Sequence, residues 1–211
     1  MIKKISPLEK MLLVSILFNM LLLFVRFYYT KELTYGFYVW NTFLAILPLL
    51  FSRALLRLNR INLKATVLVV CWLVFFPNAP YMITDIFHYA NMPPVPQWYD
   101  LLLVTTAAWN GLLLGILSLM QVEQFLSRHL HANWVKLTVI TSFMLCGYGV
   151  CIGRYLRFNS WDAVVSPKML VYTFATHFFQ PQQHLMIWAF TLLFGTMFGI
   201  IYYTLSLFKQ P

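Results

Sequence analysis

Read for hydropathy, the chain alternates between long apolar runs and short polar breaks. Six runs reach or approach the ~20 residues a helix needs to cross a hydrocarbon core: 8–29, 36–52, 65–90, 99–121, 134–156 and 186–208. The second is the shortest and carries Pro48, so a kinked or tilted, partly buried helix is expected there. The pattern predicts an all-α fold, a polytopic bundle of about six transmembrane helices. The 211 residues suit a single integral membrane domain spanning 1–211. Residues 167–179, entered through Ser166 and Pro167, mix Leu, Tyr and Phe with Lys168, Thr176 and His177. They are too polar for a seventh span and predict a helix that lies in the interface or dips into the membrane.

The third run is interrupted. Pro77 and Pro80 each remove a backbone donor and disfavour helix at Phe76 and Ala79, which predicts a kink or break at that point. Asn78 is then placed to accept from freed amides, with Pro80 in the first turn of a second half-helix. Such a half-helix would present a partly positive N-terminus at membrane depth, suited to an anion or a substrate headgroup. Helix over 81–90 would put Asp85 and His88 on one face, where the carboxylate can orient the imidazole for acid–base work or join it on a metal. A hydrogen bond that only satisfies the two groups is the plainer alternative.

Composition agrees with the pattern: 61% of residues are hydrophobic and 10% charged, with a mean hydropathy of +0.72. The net charge of +9 does not point to nucleic acid, because the basic residues sit at the ends of apolar runs and form no continuous patch. They orient the chain instead. Lys3, Lys4, Lys10, Arg53, Arg57, Arg60, Lys64, Arg128, Lys136 and Lys209 fall on one side, and Arg26, Lys31, Arg154, Arg157 and Lys168 on the other. The positive-inside rule therefore predicts that both termini are cytoplasmic. The first run passes into Arg26, Phe27, Tyr28 and Tyr29 without a small-x-small cleavage site, which predicts a retained span rather than a signal peptide. Cys71, Cys146 and Cys151 lie within apolar runs and are expected to be buried thiols. Seven of the eight glycines lie in the last three spans, six of them as Gly111-x-x-x-Gly115, Gly149-x-x-x-Gly153 and Gly195-x-x-x-Gly199, a spacing that lets helix backbones approach closely.

In this topology the polar residues of the membrane core crowd toward the extracytoplasmic face. Asp85, Asp100, Asp162 and Glu32, with His88, His177, His184, Arg26, Arg154 and Arg157, fall on or near it. Asp85 and His88 are the candidate catalytic residues. Asn78, Tyr81, Asp100, Arg154, Arg157, Asn159, Trp161 and Asp162 are the candidate substrate-binding residues. Arg154 and Arg157, one helical turn apart at the end of the fifth span, are placed to face one anionic partner. That partner is a lipid phosphate, a substrate phosphate, or an aspartate of the protein itself. Trp98, Tyr99 and Trp161 suit an aromatic belt, Asn110 a hydrogen bond between helices, and His129 and His131 a solvated or headgroup-facing position.

The strings FFPNAPYMITDIFH, VPQWYDLLL and GRYLRFNSWD resemble a family of bacterial multi-pass membrane proteins catalogued only as a domain of unknown function. The resemblance runs from the third span onward. It implies a bacterial inner-membrane protein whose motifs gather on one face, and it carries no activity, substrate or cofactor with it. Three functions stay open. The first is an enzyme or carrier for a lipid-linked or anionic substrate, and the second a non-catalytic partner or assembly factor in a membrane complex. The third, a small transporter, is disfavoured because only one span is clearly interrupted. Among partners the bilayer and an anionic or lipid-linked molecule come first, then another membrane protein. No nucleotide-binding, zinc-protease, serine-hydrolase or CxxC signature is present, and metal content is undetermined by the sequence.

Overall fold

The computed structural model describes residues 6–89 and 94–208. Lys3, Lys4 and Lys209, the last residue of the third predicted run, and Met92 and Pro93 lie outside the described residues. Among those described, regular structure is helical: α1 (Pro7–Thr30), α2 (Phe37–Leu55), α3 (Leu63–Phe75), α4 (Asn78–Thr84), α5 (Gln97–Leu126), α6 (Ala132–Tyr155), α7 (Asp162–Val165), α8 (Pro167–Phe179) and α9 (Leu185–Leu207). Short 3-10 turns over Asp85–His88 and Pro181–His184 follow α4 and precede α9. Six segments are long and apolar enough to cross a membrane: α1, α2, α3 with α4 and its turn, α5, α6, and α9 with its preceding turn. The six predicted runs match them within a few residues.

Helix α1 begins in a capping box. Ser6 Oγ accepts from the Glu9 amide at 3.2 Å, and the Glu9 carboxylate accepts from the Ser6 amide at 2.8 Å. Helix α2 keeps its course through Pro48 and extends to Leu55, three residues beyond the predicted run. Helix α8 coincides with the segment expected outside the spans, and of its side chains His177 is the buried one.

Two buried clusters share α5 as their common wall. In one, Trp72 and Phe76 pack with Leu119, Phe143 and Phe198 from α5, α6 and α9; in the other, Ala79 and Met82 pack with Tyr38, Ala45 and Leu103 from α2 and α5. The buried residues of the third span pass from one core to the other between Phe76 and Ala79, with Pro77 between them and Pro80 directly after. The interruption is a tight seam, since the Phe76 amide still donates to Trp72 O and the Tyr81 amide to Pro77 O.

The glycine pairs explain how this seam is held. A Cβ on Gly111 would collide with the Ala79 carbonyl and lie 2.7 Å from Met82 Cβ; a Cβ on Gly149 would lie 2.5 Å from Pro77 Cγ. Helices α5 and α6 thus clasp the seam from two sides at backbone distance. The third pair, with Gly147, lets α6 and α9 close on each other, where a Cβ on Gly195 would lie 2.8 Å from the Phe143 carbonyl. All three motifs mark helix contacts inside the bundle.

Polar groups tie the helices elsewhere. Asn110 exchanges hydrogen bonds with Ser15 (Oγ to Oδ1, 2.6 Å), and Asn19 donates to the Leu103 carbonyl at 2.8 Å. Each interhelical bond of this kind contributes about 0.6 kcal/mol. At one end of the bundle Glu9 meets Arg53 and Gln121, and the Glu123 carboxylate accepts from the Tyr202 hydroxyl. His129 differs from its expected solvated position: its ring nitrogens lie 2.9 Å from Phe125 O and 3.0 Å from Asn59 O, pinning the end of α5 to the loop after α2. Cys146 and Cys151 are buried and Cys71 partly so, all with free thiols.

Candidate functional site

The opposite end of the bundle holds two arginine–aspartate pairs. In the first, Asp85 closes α4 and Arg154 lies in the last turn of α6. The pair meets at 2.5 Å, with the Asp85 side chain 2% and the Arg154 side chain 11% exposed. Asn41 of α2 donates to the other Asp85 oxygen at 2.9 Å. Arg154 also donates to Thr84 Oγ1 at 2.7 and 2.9 Å, and its guanidinium lies over the Tyr81 ring at 4.4 Å. Both charges are therefore paired and hydrogen-bonded, as burial under a headgroup layer demands.

His88 completes the network from outside. Within a 3-10 turn residues three apart eclipse, so Asp85 and His88 do share a side. The two do not bond each other, because Arg154 Nη1 lies 2.7 Å from His88 Nε2 and stands between them. Arginine can only donate, so Nε2 accepts and the ring proton sits on Nδ1. The expected direct Asp–His pair is corrected to an Asp–Arg–His relay. Among the described residues no group of three His, Cys, Asp or Glu side chains converges as a metal would need, and Arg154 already occupies Nε2.

A cavity of about 200 Å³ adjoins this network, between α2, the seam, the end of α6 and the turn leading into α7. Asn41, Asn78, Asn159 and Ser160 supply its polar lining, and Trp40 and Tyr81 its aromatic walls. Asn78 acts differently from its expected role. The helix begins at Asn78 itself, and its side-chain amide donates to the Phe75 carbonyl at 2.8 Å and to Ser160 Oγ at 2.6 Å. It satisfies the Phe75 carbonyl, whose helical donor, the Ala79 amide, turns to Phe76 O instead, and it ties the seam to the 157–161 turn. With seven residues, α4 is too short for the expected dipole-based anion site.

The two arginines of the GRYLRFNSWD segment part company. Helix α6 ends at Tyr155, and Arg157 turns the chain in a left-handed conformation (φ 59°) while the Phe158 amide returns to Ile152 O at 3.3 Å. A glycine usually fills such a position. Arg154 points into the site and Arg157 is exposed, so they do not face one partner. Asp162 instead accepts from the Asn159 amide at 2.7 Å and fixes the turn. Trp161 packs against Trp40, ring centroids 6.0 Å apart, beside the cavity.

Asp100 belongs to the second pair. Arg26 Nε and Nη2 donate to its two oxygens at 2.7 and 3.1 Å, with both side chains almost wholly buried. Asp85, His88, Asn78, Tyr81, Arg154 and Asn159 thus gather around the cavity and its network, while Asp100 stands apart. Sequence reasoning misses Asn41, Thr84 and Ser160. Asn41 carries a signal, a lone amide in an apolar run, and Thr84 and Ser160 sit inside the two strings already singled out.

The family model described as "Protein of unknown function (DUF1361)" matches residues 40–201, and the chain belongs to that family. No curated protein and no solved structure matches it. The matched span takes in every residue of the cavity and its network, and leaves α1 with Arg26 outside.

Proposed function

We propose that this DUF1361 protein binds the head of an amphipathic, lipid-linked or anionic substrate in the cavity at the seam of its third span. The carrying observation is that the cavity and the Asp85–Arg154 pair share side chains: Asn41 lines one and donates to the other, and Tyr81 lines one beneath the guanidinium of the other. The amides of Asn41, Asn78 and Asn159 suit the oxygens of a sugar or phosphate ester, and the aromatic walls suit the first carbons of a chain. Arg157, exposed on the turn that carries Asn159, meets the anionic group. His88, exposed and holding its proton on Nδ1, is the group available for proton transfer; Asp85 and Arg154 position it.

Charge distribution supports an extracytoplasmic location of this end, in a bacterial inner membrane with cytoplasmic termini. Lys10, Arg53, Arg57, Arg60, Lys64, Arg128 and Lys136 cluster at the other end, while Arg26 and Arg154 at this end are consumed by ion pairs.

The test is photo-cross-linking in native membranes with a diazirine-bearing polyprenyl phosphate, followed by peptide mapping. Label is expected at 77–81 and 158–163, and Ala163→Phe, which places bulk at the cavity wall, should reduce it about tenfold. Label spread evenly over the lipid-facing helix surfaces, unchanged in the variant, would overturn the reading.

A further inference from the structure

A second cavity, of about 340 Å³, lies between the end of α1 and the first turn of α2. Phe37 lines it and separates it from the first site, its ring 5.4 Å from that of His88. Its polar wall is unusual for this depth. Arg26 is 3% exposed, and its Nη1 has no hydrogen-bond partner among the described residues, the other two guanidinium nitrogens being taken by Asp100. The Tyr35 ring lies 4.8 Å from the guanidinium carbon, a cation–π contact weaker than the hydrogen bond an oxygen would accept from Nη1. A buried donor left without an acceptor is destabilising, and a ligand oxygen would relieve that cost.

A second donor source lies in the same wall. Helix α2 runs for nineteen residues from Gly36, which supplies no side-chain cap, and its first turn lines the cavity. The Tyr38 and Val39 amides already donate to Tyr35 O and Gly36 O at 3.1 and 3.2 Å, which leaves the Phe37 amide and the unfilled guanidinium N–H as the donors for an oxyanion. A fully anionic ligand is nevertheless poorly served, because Arg26 is already neutralised by Asp100 and the Glu32 carboxylate lies in the same wall. The outer wall is apolar, with Leu33 74% and Val39 56% exposed, at the end of the first two spans where headgroups meet hydrocarbon.

We infer that this cavity binds the headgroup of an aminophospholipid. A phosphate oxygen accepts from Arg26 Nη1 and the Phe37 amide, the primary ammonium donates to Glu32, and the acyl chains run over Leu33 and Val39. A phosphoglycerol headgroup lacks the cation that Glu32 needs. The inference does not depend on what fills the first cavity.

Native mass spectrometry of the purified full-length chain, offered equal phosphatidylethanolamine and phosphatidylglycerol, tests it. One phosphatidylethanolamine should be retained in preference by about fivefold, the scale of a single partly exposed charge pair. Glu32→Gln, a change on an exposed side chain, should erase the preference, and Leu33→Trp, at the cavity mouth, should lower retention of both lipids. Soluble glycerophosphoethanolamine at equal concentration should not displace the lipid. Equal retention of the two lipids, a preference that survives Glu32→Gln, or displacement by the soluble headgroup would each refute the site.

Discussion

The two arginine–aspartate pairs lie at the same end of the bundle and each borders a cavity, yet they organise different numbers of side chains. Arg26 and Asp100 are 2% and 1% exposed and join α1 to α5 with two parallel bonds. Arg154 and Asp85 join α6 to the seam, but Asn41, Thr84, Tyr81 and His88 crowd the same few ångströms and a cavity opens beside them. A buried ion pair used only as a fastener is replaceable by apolar side chains of like volume at little cost. A pair that also orients four neighbours can be replaced in that way for stability, but the arrangement of those neighbours is lost. Location at one end of the bundle and a neighbouring cavity are common to both; the number of side chains each pair orients is what separates them.

Removing one partner from the Arg26–Asp100 pair should give the largest effect. Asp100→Ala strands a guanidinium whose side chain is 2% exposed, and a loss of about 3–5 kcal/mol is expected, read as a fall in the temperature at which the detergent-purified protein stays monodisperse. The double change Arg26→Met with Asp100→Leu should recover most of that loss. Asp85→Ala should cost less, about 2 kcal/mol, because Arg154 keeps Thr84 and His88 and is partly exposed. An apolar double replacement at Asp85 and Arg154 should restore stability while abolishing photolabelling of the first cavity. Full labelling in that double variant would erase the distinction between the pairs.

Much of this architecture is legible in the residues alone, and the limits have physical causes. Span positions follow from hydropathy summed over many residues, so single errors cancel and the six runs agree with the six helices. The seam follows from Pro77 and Pro80, whose missing donors are local properties. Partner choice depends instead on where helices end. Placing Arg154 and Arg157 on one face assumes a helix that continues past Tyr155, and one left-handed residue at Arg157 sends the second guanidinium elsewhere. The Asp85–His88 pairing fails for a similar reason, since a third side chain from α6, sixty-six residues after His88, fits between them. Asn78 reverses its role because the acceptor at Phe75 and the hydroxyl of Ser160 arrive from both sides.

A smaller effect should separate the pairs through the backbone. Only the Asp85–Arg154 pair depends on α4, and α4 depends on the glycines that let α5 and α6 reach it. Gly149→Ala puts a methyl group 2.5 Å from Pro77 Cγ, which the ring cannot avoid without moving the seam. The cost expected is about 1–3 kcal/mol, together with loss of labelling in the first cavity. The retention of phosphatidylethanolamine beside Arg26 should survive, because Arg26, Glu32 and Leu33 lie on α1 and the loop after it, outside the seam. Gly36→Ala is the matching control near the second cavity: a Cβ there lies 3.1 Å from Leu33 O, in an exposed loop with room to yield.

The smallest effect concerns the cover of the first cavity and its dependence on pH. Leu170 of α8 forms part of that cavity wall, and α8 is held down chiefly through His177. Tyr148 Oη lies 3.0 Å from His177 Nδ1, and Trp188 Nε1 donates to the His177 carbonyl at 3.0 Å. Burial first, and the neighbouring His184 second, push the His177 imidazole below its ordinary range, so the docked helix holds it neutral. Protonation is easier with α8 undocked than docked. Docking is therefore fully stable above the ordinary imidazole value, about 6.5, and weakens as pH falls from there through the lowered value. Hydrogen exchange of the α8 amides, corrected for intrinsic rates, should be steady from pH 8 to 7 and quicken below about 6.5, with helices α1 and α5 unaffected. In His177→Gln the pH dependence should disappear. If α8 protection stays flat down to about pH 5 in the unaltered protein, His177 is not the latch, and the cover of the cavity must be held by its apolar contacts alone.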